Sequence, residues 1–389
     1  MPESTRIGEF GRGEPSLTVE SRLVAPAVPK RTIPIMGIQA MLKSSSLDDI
    51  DAQIARCLQV SPRASFREIG DVLGVAEQTI ARRYRRLRRD GLLRVTMATD
   101  LQRTGGSTWM VRVRCRPEGA DTIANAVAAR DDVSWVSIFG AGWEVAFNLR
   151  VSSDAAAHEL LTRTLPKTAP VLDVLPAEIL HTYIGGASEH HDTWTDVLSP
   201  EQTEALAATS IRRLHGQAAV STPEPEDRIL LDELGRDGRV PYSTLARVVG
   251  STAGKVTRRV EHFVASGIGY FHVDLATAAI GLRSTALWLT VSPRHLAAVG
   301  EALGTNPQIP FAAAVTGRAN LTANIIAADT EDLYSFVTKV LSDIDGINGY
   351  ELVPLLRRVK HAGALVDGDF LAPPQISPNR RSASVRSAL

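Results

Sequence analysis

Between Ser65 and Gly91 the chain reads SFREIGDVLGVAEQTIARRYRRLRRDG, and the way this stretch punctuates itself decides the fold. Ser65 with Glu68 three residues on is a capping box that opens a short helix, which Gly74 breaks. A longer helix is predicted from about Ala76 to Asp90, stopping at Gly91. Upstream, Asp48 is placed to cap a helix carrying Ile50, Ile54 and Leu58. Helix, short helix, glycine-containing turn and longer helix form a helix-turn-helix. At about 100° per residue the last helix turns Ile80, Tyr84 and Leu87 inward, and Gln78, Arg82, Arg85 and Arg89 to the opposite face.

Outward from this stretch the chain repeats itself. At an offset of 176 residues, Asp51 to Asp227, the apolar skeleton returns: Ile54 meets Leu230, Phe66 meets Tyr242, Gly74 meets Gly250, Arg82 meets Arg258 and Gly91 meets Gly267. A one-residue insertion is expected before Gly317, which then answers Gly140. So long a period marks a duplicated multi-element unit and not a solenoid. After each helix-turn-helix, strands and helices interleave as β-α-β-β-α-β. The expected strands of copy one are Trp109 to Cys115, Val133 to Phe139 and Trp143 to Val151, with helices at Ala120 to Ala129 and Asp154 to Leu165. Those of copy two are Thr285 to Val291, Phe311 to Val315, Asn320 to Ala327 and a last run near Tyr350 to Leu356.

The predicted fold class is α+β: two copies of a helix-turn-helix (winged-helix-like) domain followed by a ferredoxin-like βαββαβ domain. The expected boundaries are a disordered segment over 1–44, a helix-turn-helix domain over 45–100 and an α+β effector and oligomerisation domain over 101–186. A linker over 187–223, with a helix at Pro200 to Leu214, leads to 224–275 and 276–366 as the second pair, and 367–389 is a disordered tail.

Composition narrows the class. The chain has 389 residues, too many for one hydrophobic core. No apolar run approaches the roughly 18 residues of a membrane span, and no secretory signal opens the chain, so a cytoplasmic protein without membrane contact is expected. Cys57 and Cys115 offer neither a disulfide framework nor a metal pair and read as buried thiols. Lys plus Arg and Asp plus Glu number 43 each, so net charge argues mildly against nucleic acid, yet RRYRRLRR from Arg82 to Arg89 makes a local basic face. There Gln78 and Arg82 suit base edges of double-stranded DNA and Arg85, Arg86 and Arg89 suit phosphates, and Thr79 and Arg83 are assigned to the same DNA contact. Copy two keeps only Lys255, Arg258 and Arg259, with Gly254, Glu261 and Ala265 at the other reading positions, and is the weaker reader.

A helix-turn-helix ending in RR-x-x-x-L-x-x-x-G, followed by a ferredoxin-like module with a glycine-rich turn between its middle strands, resembles the Lrp/AsnC family of feast/famine regulators. The resemblance implies DNA binding by dimers or higher assemblies, with the α+β module pairing subunits and receiving amino acids or related metabolites. Most members carry one copy, so the tandem form is a departure. The effector candidates are the turns Phe139 to Glu144 (Gly140, Gly142, Trp143, Glu144) and Thr316 to Asn320 (Thr316, Gly317, Asn320). There, glycine amides can approach a carboxylate and an acidic or amide side chain can hold an ammonium group. The sheet face bearing Trp109, Val111, Val113, Leu287 and Leu289 needs cover, which pairing of the two copies within or between chains would supply, and a homo-oligomer through the α+β domains is expected. No catalytic residue, metal ligand or cofactor is assigned; His190, His191, Asp192 and Asp196 read as solvated linker. The competing reading is an enzyme, since sirohaem decarboxylases resemble the same family and can be fused in tandem. His181 and Arg150 are then the candidates.

Overall fold

The structure is a computed structural model that describes residues 47–151, 157–186, 197–211 and 223–372. The expected segment over 1–44, the histidines at 190 and 191 and the last 17 residues lie outside them. Copy one opens with helices α1 (Asp49–Val60), α2 (Phe66–Leu73) and α3 (Glu77–Arg89), and strand β1 (Leu93–Thr99) follows as a wing. Both expected caps form: Asp48 accepts from the amide of Asp51, and Ser65 from that of Glu68. The α+β module is β2 (Ser107–Cys115), α4 (Ala120–Ala128), β3 (Val133–Phe139), β4 (Glu144–Val151), a turn at Glu159–Thr164 and β5 (Val171–Ile184). Helix α5 (Pro200–Thr209) stands between the copies. Copy two repeats the order with α6 (Pro225–Arg236), α7 (Tyr242–Val248), α8 (Ala253–Ala265), β6 (Gly269–Leu275), β7 (Arg283–Val291), α9 (Leu296–Gly304), β8 (Phe311–Val315), β9 (Leu321–Ala327), α10 (Thr330–Ser335) and β10 (Ile347–His361). It adds a hairpin, β11 (Ala364–Asp367) and β12 (Phe370–Leu371).

The two copies close on each other through an internal pseudo-twofold axis. Each module has the strand order of a ferredoxin-like sheet, and the modules join edge to edge: β5 pairs β8, and β10 pairs β3. The ring β10-β3-β4-β2-β5-β8-β9-β7 returns to β10, so eight antiparallel strands form a closed barrel with no free edge. The junctions are mirror images in sequence. Ile179, His181, Thr182 and Ile184 face Val315, Ala314, Ala313 and Ala312, and the residues 176 positions away from each make the other junction, Leu355, Arg357, Arg358 and Lys360 against Phe139, Ile138, Ser137 and Val136. The offset holds at 176 through every strand, so the insertion expected before Gly317 is absent; the glycines of the two turns merely fall one place apart.

The helix-turn-helix domains obey the same axis. Wings β1 and β6 pair antiparallel, with Thr96 opposite His272, its own equivalent. Arg63 donates to the carbonyls of Gly238 and Val240 at 2.6 and 3.0 Å, and Arg239 donates to those of Pro62 and Ala64 at 2.6 and 2.7 Å. Each guanidinium lies over the other copy's ring, Arg63 over Tyr242 and Arg239 over Phe66.

Two expectations are corrected here. Trp109, Val111 and Val113 do not face the opposite copy: they pack under the helices of their own module, as do Leu287 and Leu289. The alternate residues, Met110, Ala286 and Trp288, meet across the barrel with Ala177, Ile179, Ala313 and Val315. The period was right and the face inverted: Val111 and Val113 alternate with Arg112 and Arg114, and the more apolar face of β2 is the one its own helices cover. Each module is thus covered by its twin within one chain, and an association of chains would use the outer surfaces. The linker and tail are also more than spacers. Leu206 of α5 is buried in the first helix-turn-helix core, and Gln202 donates to the carbonyl of Val72. Leu371 is buried there too, its amide donating to the carbonyl of Gly91.

Candidate nucleic-acid interface and effector site

Helix α3 sorts its arginines. Gln78, Arg82, Arg85 and Arg89 are exposed along one face, and Thr79 is partly so. Arg83 and Arg86, both expected at DNA, instead turn back: Arg83 bridges Asp48 and Asp51 at 2.6 and 3.0 Å, and Arg86 pairs with Asp51. Asp51 is fully covered, so the two guanidiniums neutralise a buried carboxylate and lock α3 to α1. Their equivalent in copy two, Arg259, pairs with buried Asp227 in the same way. On α8, Gly254, Lys255, Arg258 and Glu261 are exposed, and the Arg258 Nε reaches its own helix at the carbonyl of Gly254, 3.4 Å away. The asymmetry of the two reading faces therefore persists in three dimensions.

The effector turns are less open than the sequence suggests. Gly140, Ala141 and Gly142 all adopt positive φ, 54°, 57° and 94°, which curls the backbone tightly. Trp143 stands out into solvent, but Glu144 beside it is buried and already held. Arg112 grips it through Nε at 3.0 and 2.9 Å and through Nη2 at 2.6 Å. The outer edge of the same guanidinium takes Glu351 of copy two, both contacts at 2.9 Å, and its plane rests 4.5 Å from the Trp288 ring. In the second turn, Asn320 bridges the amide and carbonyl of Val291 at 2.8 Å each, and Thr316 accepts from the amide of Glu178. Gly317 has φ 109° and serves the turn. Asn320 and Thr316 are strand fasteners here. Arg112 and Glu351, 239 positions apart, were invisible to a reading by spacing.

A second cluster went unread. On the wing ribbon His272 and Asp274 meet His361 at the end of β10, with Nε2 of each histidine 2.7 and 2.9 Å from Asp274 Oδ1. One ligand atom from each lies within 4.8 Å of the others, the spacing of a metal triad. Charge opposes that use. Arg358 Nη1 stands 3.2 Å from Nδ1 of His361, and Arg94 is the cross-strand partner of Asp274, so two cations already flank the single carboxylate. The arrangement suits a hydrogen-bonded junction between the wings and the barrel, capped by the Trp135 ring 4.1 Å from that of His361.

Its pH response follows from the environment of each group. Burial pushes His361 down to about 4, with Arg358 reinforcing and Asp274 opposing. Below its ordinary 6.5 the unfolded chain takes up a proton that the folded one refuses, so stability falls as pH drops from about 6.5 to 4. Burial also works against charge on His272, but Asp274 outweighs it and raises that histidine; its contribution is complete below the ordinary value and is lost only at higher pH. Burial likewise opposes the charge of Asp274, yet His272 and His361 hold it well below its usual value, so it stays ionised throughout this window. The thermal midpoint of the protein is expected to fall between pH 6.5 and 4.5, and His361→Gln to flatten that limb; an unchanged slope in the variant contradicts the assignment.

The comparisons agree with the duplicated architecture. A model of the AsnC-type helix-turn-helix domain matches residues 47–88 and again 227–263, and one of the Lrp/AsnC ligand binding domain matches 285–365. The HTH-type transcriptional regulator AldR of Mycolicibacterium smegmatis is 31% identical over 148 residues, which cover 36% of this chain and 84% of AldR. An uncharacterised HTH-type regulator of Pyrococcus horikoshii, PH0061, is 29% identical over 92 residues, 23% of this chain and 60% of that protein. Among solved structures, the siroheme decarboxylase NirDL superposes with a TM-score of 0.55 over 88% of this chain and 99% of its own, at 14% identity. At that identity the likeness is one of fold. Among the described residues no helix is long and apolar enough to cross a membrane.

Proposed function

Since this chain belongs to the Lrp/AsnC family of transcription regulators, we propose that it is a cytoplasmic regulator in which one polypeptide supplies both halves of a DNA-reading dimer and answers to an amino-acid-like metabolite. The observation that carries this reading is the sorting on α3, where Arg83 and Arg86 serve the fold while Gln78, Arg82, Arg85 and Arg89 are exposed on one face, Arg89 paired with the neighbouring Asp90. Such a face fits the major groove of double-stranded DNA. Copy one reads bases and backbone, and copy two, with Glu261 on its face, contributes mainly the pseudo-dimer and a few phosphate contacts through Lys255 and Arg258.

The effector role passes from the two glycine-containing turns to the set of Arg112, Glu144 and Glu351. One guanidinium and two carboxylates complement a zwitterion once the outer pair opens: its carboxylate displaces the exposed Glu351 from the outer edge of Arg112, the freed Glu351 takes its ammonium, and buried Glu144 keeps its hold on Arg112. The experiment is a mobility shift of DNA from upstream of the protein's own coding region, with and without each of the common amino acids. One of them is expected to change the shift, and Glu351→Gln to raise its half-effective concentration at least tenfold while leaving effector-free DNA affinity within twofold. A retarded band that no amino acid alters would remove this part of the reading; no retardation at all would remove the whole.

A second reading, a tetrapyrrole enzyme, draws on the full-length likeness to NirDL. His181 is exposed and sits edge-on to Tyr183, whereas Arg150 faces Thr108 on another strand pair, so the two residues considered for it do not form a site. A saturable Soret shift on titrating iron uroporphyrin would favour that reading.

A further inference from the structure

Beside helix α3 lies a cleft of about 400 Å³ whose lining includes five arginines, Arg85, Arg88, Arg89, Arg94 and Arg236, and one acidic residue, Asp237. Three of the five are engaged: Arg88 with Asp237 at 2.9 Å, Arg89 with Asp90 at 2.8 Å and Arg236 with Glu233. Arg94 is different. It is 91% buried on the wing strand β1, and its Nε and Nη1 find no hydrogen-bond acceptor. Burial lowers its pKa, the cross-strand Asp274 only partly offsetting that. A buried guanidinium with idle donors costs stability unless something accepts from them.

The duplication supplies an internal control. At the positions 176 away the same elements carry Glu261, Val264, Ala265 and Tyr270 for Arg85, Arg88, Arg89 and Arg94, and Val60 and Ser61 for Arg236 and Asp237. The fold therefore does not require this charge. It has been placed on one side of the pseudo-twofold axis only.

We propose that this cleft binds a small, multiply charged oxyanion of the phosphate class, held by Arg94, whose covered Nε and Nη1 turn out to it on binding, with Arg85, Arg88 and Arg236 around it. Guanidinium forks match such oxygens in geometry and charge. The site is distinct from the zwitterion set at Arg112 and does not depend on it. The same chemistry could be offered by a free phosphate compound or by a DNA backbone phosphate; the depth of Arg94 favours the free compound. Because Arg85 and Arg89 also belong to the DNA-reading face, occupancy is expected to weaken DNA binding, a consequence that rests on the function proposed above.

The test is calorimetric titration of the full chain with inorganic pyrophosphate at low ionic strength. Saturable binding near one equivalent is expected, weakened at least tenfold by Arg94→Met and severalfold by Arg236→Gln, and unchanged by Arg294→Met, an exposed arginine of copy two. Arg236→Gln guards against a folding defect in the Arg94 variant, since Arg236 is partly exposed where Arg94 is buried. DNA affinity without pyrophosphate should stay within twofold in Arg94→Met. Absence of saturable binding, equal affinity in both cleft variants and the parent, or loss of DNA affinity with pyrophosphate binding intact would each overturn the proposal, the last by giving the site to the DNA backbone.

Discussion

Arg112→Ala is expected to destabilise the protein by about 3 to 5 kcal/mol, the cost of leaving one charge of a buried pair without its partner. The arginine side chain is 12% exposed and that of Glu144 8%, so the stranded carboxylate cannot simply rehydrate. The equivalents across the pseudo-twofold axis show how the cost is avoided, because Arg112 and Glu144 correspond to Trp288 and Asn320 of copy two, and Glu351 to Leu175 of copy one. An uncharged version of the same corner thus exists in this chain. Arg112→Met combined with Glu144→Gln should therefore recover most of the loss, and a urea-unfolding double-mutant cycle measures the coupling. Additive losses in the cycle would mean that the two side chains do not sense each other.

Replacing Arg82, Arg85 and Arg89 together by alanine should lower DNA affinity by about 100-fold or more at low salt and flatten its salt dependence. Each phosphate contact contributes about 0.9 to the slope of log affinity against log salt, so losing two or three cations should reduce it by about 2 to 3. Arg83 and Arg86 are poor substitutes because Asp51 and Asp48 hold them. Fluorescence anisotropy on one fragment across a salt series reads both quantities; an unchanged slope would place the DNA elsewhere.

What the sequence disclosed and what it concealed follow one physical division. Local signals were legible: the Ser65 and Glu68 capping box, the αL glycine at Gly74 and the 3.6-residue period of α3 act within a few residues, and helix α3 ends one residue inside each expected limit. The 176-residue repeat was legible because it copies those signals. The alternation of Val111 and Val113 with Arg112 and Arg114 was legible, but it does not say whether the apolar face meets the module's own helices or its twin, and the structure gives it to the helices. Pairings across the chain were not legible at all. Nothing near Glu144 announces Arg112, Glu351 lies in the other copy, and His361 joins His272 only because β10 ends against the wing ribbon. Strand β1, LRVTMAT, is short and gains its stability from pairing with its own equivalent, β6. The buried Leu206 and Leu371 sit in polar or proline-rich surroundings whose composition outweighs one apolar side chain.

The central claim is that one chain reads DNA as an asymmetric pseudo-dimer through copy one. It is tested most directly by comparing Arg82→Ala with its equivalent Arg258→Ala on the same DNA fragment by anisotropy. Arg82→Ala is predicted to cost roughly 1 to 3 kcal/mol and to relax base preference at one position, while Arg258→Ala costs markedly less and leaves preference intact. Equal losses from the two substitutions would contradict the account and show that both copies read DNA alike.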